Sequence, residues 1–127
     1  MSATLVEAIE LKNNLTLQLF DGSRQITQDR WLVVLIAKIE VPVDPSIATI
    51  DEIDWKDLTA VLGSSVLFEQ KRERNFIDNE AKDAVFITLR DNFKETLMDY
   101  LAHPDFAKRF ILGRYSERLY NTRQACS

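Results

Sequence analysis

The stretch Trp31–Val43, WLVVLIAKIEVPV, limits the fold more than any other part of the chain. Its odd positions Trp31, Val33, Leu35, Ala37, Ile39, Val41 and Val43 are all apolar. Period-two hydrophobicity of that length predicts a long strand with one continuous core face. The even positions begin apolar too, at Leu32, Val34 and Ile36, and turn charged at Lys38 and Glu40. Half of this strand therefore needs cover on both sides, as a central strand does.

Flanking patterns fill in the remaining elements. Thr4–Leu11 and Leu15–Phe20 read as a hairpin. A three-residue loop pairs Leu11 with Leu15, Ile9 with Leu17 and Glu7 with Leu19, gathering most of the aliphatic side chains on one face. That register requires Asn14 in the left-handed conformation, which asparagine tolerates. Asp21-Gly22 turns or bulges the chain, and Ser23–Asp29 reads as a polar connection into the central strand. Pro42 and Pro45 end that strand, and Asp44–Asp51 reads as a loop. Trp55, Leu58, Val61 and Leu62 recur at helical spacing between a candidate N-cap, Asp54, and a stop at Gly63.

Ser65–Ile77 has no apolar anchor for two helical turns after Phe68, so it reads as a charged edge strand. Asn79–Ala102 has a strong helical period through Val85, Leu89, Phe93 and Leu97, which are expected to pack on the odd-numbered face of the central strand. Pro104 opens a second helix with Phe106, Phe110, Ile111, Tyr115 and Leu119 as its buried stripe. The order β-β-β-α-β-α-α predicts an α+β fold: an antiparallel sheet of three to four strands with helices packed mainly on one face. A length of 127 residues, 46% hydrophobic and 28% charged, suits one domain over residues 1–127, with 124–127 frayed.

Composition narrows the chemistry. A net charge of -4 argues against a generic nucleic-acid or anionic-membrane partner. Charge is uneven, however: residues 1–63 carry 5 Lys/Arg against 10 Asp/Glu, and residues 106–127 carry 5 against one. Cys126 is the only cysteine, so no intrachain disulfide forms and a reducing, cytoplasmic setting is expected. The N-terminal residues lack a basic segment followed by a sustained apolar run, and no stretch has the length of a membrane helix.

The three glycines are isolated, whereas phosphate-cradling loops need them clustered. One histidine and one cysteine cannot form a Cys/His zinc set. No catalytic residue, metal ligand or cofactor site is assigned. His103, at the break between the last two helices, could serve as a base oriented by Asp105 or Asp99, but a partly exposed cap position before the helix-starting Pro104 is the favoured reading. Asp51, Glu52, Asp54 and Asp57 lack the spacing of a calcium loop and suit a helix N-terminus.

Two arginines, Arg72 and Arg74, share one face of the edge strand with Gln70 and could present a small anion or nucleotide-ligand site. Lys108, Arg109, Arg114, Arg118 and Arg123, interleaved with Tyr115 and Tyr120, offer a weak nucleic-acid stripe. Leu32, Val34 and Ile36, which point together away from the odd face, are expected to meet a second chain. The leading expectation is therefore a non-enzymatic interaction or assembly domain that forms a homodimer or binds a protein partner.

Overall fold

The computed structural model describes residues 3–44 and 55–126, with side chains described as far as Leu119. Its elements are β1 (Thr4–Glu10), β2 (Thr16–Asp21), β3 (Arg24–Thr27), β4 (Arg30–Pro42), α1 (Trp55–Leu62), β5 (Ser65–Asp78), α2 (Lys82–Ala102) and α3 (Phe106–Cys126). This is an α+β fold on a five-stranded antiparallel sheet.

The first hairpin has the register that the side-chain pattern predicts. Glu7 pairs with Leu19 and Ile9 with Leu17, the Leu11 amide donates to the Leu15 carbonyl at 2.8 Å, and Asn14 has φ 70°. Had the loop been one residue shorter, Leu17 and Leu19 would have faced Glu10 and Ala8 and the core face would have been lost.

Beyond that hairpin the sheet holds one strand more than expected. Arg24–Thr27, read from sequence as part of a connection, is the strand β3. All four of its side chains are exposed, so no apolar alternation marks it. Its place is set by the backbone ladder to β4, in which Arg24 pairs with Leu32 and Gln25 with Trp31. The pairs Leu17 to Ile39 and Asp21 to Leu35 continue the same register along β2, so β2 and β3 run as one interrupted strand beside β4. At the interruption Gly22 donates to the Val34 carbonyl at 3.0 Å. The Val34 amide donates to Ser23 Oγ at 3.0 Å, and the Ser23 amide to Asp21 Oδ1 at 2.9 Å. A serine hydroxyl thus stands in for a ladder carbonyl.

On the other side of β4 lies β5. Val43 donates to the Ser64 carbonyl at one end and Asn79 to the Asp29 carbonyl at the other, which makes the pair antiparallel. Between these bonds β5 has one residue more than β4. Phe76, at φ 60°, absorbs the extra residue as a bulge does, and the Arg30 guanidinium lies 5.3 Å from the centre of its ring. Near this end Trp31 Nε1 donates to Asn79 Oδ1 at 2.9 Å.

Contacts divide the chain into two compact units, Met1–Ile39 with Phe68–His103 and Glu40–Leu67 with Pro104–Ser127. In the first, the odd-numbered β4 residues Val33, Leu35, Ala37 and Ile39 are fully buried, as are Leu17 and Leu19 beside them. Helix α2 covers this face. It buries Phe86, Leu89, Phe93 and Leu101, Arg72 of β5 lies over the Phe93 ring, and Lys94 pairs with Glu7 of β1 at 2.7 Å. Leu89 and Phe93 are the contacts that helical periodicity predicts. Val85 and Leu97 are half-buried, and Phe86 takes the buried place expected of Val85.

In the second unit Val41, Val43, Val66, Leu58, Leu62, Phe106 and Ile111 are buried. Helices α1 and α3 pack together, and the Tyr115 hydroxyl donates to the Asp57 carboxylate. Gly63 closes α1 at φ +80°, donating to the Thr59 carbonyl at 2.8 Å, where a side chain would be strained. The proposed N-cap Asp54, and residues 45–51 of the expected loop, lie outside the described residues. Helix α3 is continuous through Cys126.

Candidate functional site

The parity of β4 places Leu32, Val34 and Ile36 on the sheet face opposite α2. Their neighbours form a shallow trough of about 620 Å³, floored by these three side chains and edged by Arg24, Lys38, Glu69, Lys71 and Glu73. Among the described residues no helical side chain lines it, and strand side chains supply the cover. Ile36 lies across Gly22, where an added Cβ would sit 2.9 Å from Ile36 Cδ1, and Lys38 Nζ lies 5.1 Å from the centre of the Phe20 ring.

Val34 is only 6% exposed, whereas Leu32 and Ile36 are half-buried. The face is thus less open than three unprotected aliphatic side chains would make it, because neighbouring strands crowd over its middle. Its border carries both signs of charge. Lys71 and Glu69 approach to 4.0 Å, a separation with little energetic weight at an exposed site.

Arg72 and Arg74 lie on the other side of β5. The Arg72 guanidinium is 5.9 Å from the Phe93 ring centre, and Arg74 Nη1 donates to the Glu73 carbonyl at 2.9 Å. Arg74 also lines a small groove with Ile77 and residues of α2. The two arginines share a strand face, as their spacing predicts.

The other sequence candidates are dispersed. His103 is exposed at the C-terminal cap of α2, where its amide donates to the Tyr100 carbonyl. Asp57 binds Tyr115, while Asp51, Glu52 and Asp54 lie outside the described residues. On α3, Arg118 donates to the Val61 carbonyl at 3.2 Å, and Arg114 pairs with Glu117 at 3.4 Å and lies over Phe110. These contacts occupy two cations of the weak nucleic-acid stripe read from sequence. Among the described residues no group of three or more His, Cys, Asp or Glu side chains is placed to hold a metal ion, and no helix is long and apolar enough to cross a membrane.

Sequence reasoning missed the role of Asn13. Its side-chain amide donates to the carbonyls of Leu101 and His103 at 2.8 and 3.0 Å, while its oxygen accepts from the Leu15 amide at 3.2 Å. The tip of the first hairpin therefore caps the C-terminus of α2. A helix end leaves carbonyls in need of donors, but nothing local shows that the donor comes from a loop some ninety residues away. No protein-family model, curated protein or solved structure matches the chain.

Proposed function

We propose that this protein is a non-enzymatic assembly domain that pairs with a second copy of itself through the open face of its sheet. The supporting observation is the trough over Leu32, Val34 and Ile36, an apolar floor inside a charged border that no described helix covers. An apolar sheet face is normally completed by another layer, and twofold pairing is the commonest way for identical chains to supply one. The lone Cys126 points to the cytoplasm as the compartment.

Charge favours one arrangement of the pair. A twofold axis running along β4 sets β5 of one copy over the β2–β3 strand of the other, bringing Glu73 towards Arg24. An axis across the strands would instead set β5 on β5 and its glutamates on the same strand of the partner. The first arrangement joins opposite charges and is the one proposed.

The test is molecular mass by light scattering over a concentration series up to about 1 mM protein, with Leu32→Lys as the comparison. A dimer that Leu32→Lys converts to a folded monomer is the expected outcome. A monomeric wild-type protein, or a dimer indifferent to Leu32→Lys, would overturn the proposal.

A further inference from the structure

Strand β5 pairs with β4, and among the described residues no strand pairs with its second edge. Along a free edge every second residue presents its N–H and C=O outward, ready to bond another extended segment. Beside this edge runs an open groove of about 270 Å³, with Arg74 and Ile77 of β5 on one wall and Ala84, Val85, Thr88 and Leu89 of α2 on the other. Ala84 and Thr88 are exposed. Their small side chains leave room for a guest where larger ones would have closed the cleft.

The charge on this side is unbalanced. Arg72 and Arg74 project from the same strand face about 7 Å apart, one against the Phe93 ring and the other on a backbone carbonyl. Neither has a carboxylate partner among the described residues. Lys and Glu side chains along an edge discourage unwanted pairing. That role calls for neither an apolar cleft nor two arginines beside it.

From these features we infer that the β5–α2 groove binds an extended acidic peptide by strand addition. The peptide pairs its backbone with the outer edge of β5. It places an aliphatic side chain in the groove and, two residues along on the same face, a carboxylate against Arg72 or Arg74. This division of labour, with main-chain bonds for affinity and side-chain sites for selection, is that of strand-addition recognition in general. The groove lies on the α2 side of the sheet, away from Leu32, Val34 and Ile36, so the binding is independent of self-association.

The probe is a fluorescein-labelled peptide, Thr-Glu-Thr-Leu-Thr, titrated with the intact chain and followed by anisotropy. Two control peptides accompany it, one with Gln in place of Glu and one with N-methylated amides that cannot join a ladder. Saturable binding at a dissociation constant below about 1 mM is expected, weakened roughly tenfold by Arg74→Glu or by the Gln peptide, and abolished by N-methylation. Ala84→Arg, an exposed helical position compatible with folding, should also abolish it by filling the groove. Leu32→Lys should leave binding unchanged, so failure of the dimer and failure of this site give different results. No saturation up to about 1 mM would overturn the inference. So would equal binding of the N-methylated peptide, which would reveal attraction of charge alone, or affinity unaffected by both Arg74→Glu and Ala84→Arg.

Discussion

At the scale of single residues, two polar side chains support backbone that the regular elements leave unsupported. Asn13 donates twice to the end of α2 and holds its own turn through Leu15. Asn13→Ala is expected to lower stability by about 1–2 kcal/mol, since it removes both donors to the helix end and the acceptor of the Leu15 amide; urea denaturation measures this, and hydrogen exchange should locate the loosening at Tyr100–His103. Ser23→Ala is expected to lower stability by about 1–3 kcal/mol, because the amide of the buried Val34 loses its acceptor. Ser23→Thr keeps the hydroxyl and should recover most of that loss. The positive φ of Asn14 was legible from asparagine at a tight hairpin, whereas that of Phe76 was not. A phenylalanine has no intrinsic reason to be left-handed, and the cause is the extra residue of β5 relative to β4, which only pairing reveals.

At the scale of elements, what the sequence showed depended on how strongly burial patterned it. The odd face of β4, the register of the first hairpin and the strand character of Ser65–Asp78 were legible because a wrong assignment would have exposed apolar side chains or left a helix with nothing to bury. Strand β3 was hidden because it buries nothing. In α2, small residues such as Ala84 and Thr88 fit a helical period whether or not anything covers them. In the structure they are exposed beside a groove. Large side chains are the better guide, and Leu89, only 4% exposed, joins the helix to the sheet core. Leu89→Ala should cost about 2–5 kcal/mol through lost burial and the resulting cavity. Ala84→Ser, at the exposed margin of the same helix, should change stability by less than about 1 kcal/mol. Thermal or urea unfolding of the two variants checks the contrast.

At the scale of the whole molecule, the sequence identified the three residues of the open face but not its border. Leu32, Val34 and Ile36 follow from the parity of one strand; Arg24, Glu69 and Glu73 join them only when β3 and β5 take their places beside β4. Nor did the pattern show that Val34 is already covered by its neighbours. Leu32 and Ile36, each half-buried, retain part of the roughly 1.5–3 kcal/mol that full burial of an aliphatic side chain provides. Pairing through such a face is expected to be reversible, with a dissociation constant of about 1–100 μM.

Sedimentation equilibrium of a charge-swap series tests this account most directly. Arg24→Glu sets an acid against Glu73 of the other copy, and Glu73→Arg sets a base against Arg24. Each single change should therefore weaken the dimer at least fivefold while leaving the monomer folded, since both side chains are exposed. The double variant carries the same two charges exchanged and should return most of the lost affinity. Dimers that ignore both single changes, or a double variant no better than the weaker single one, would contradict pairing of β5 over the β2–β3 strand.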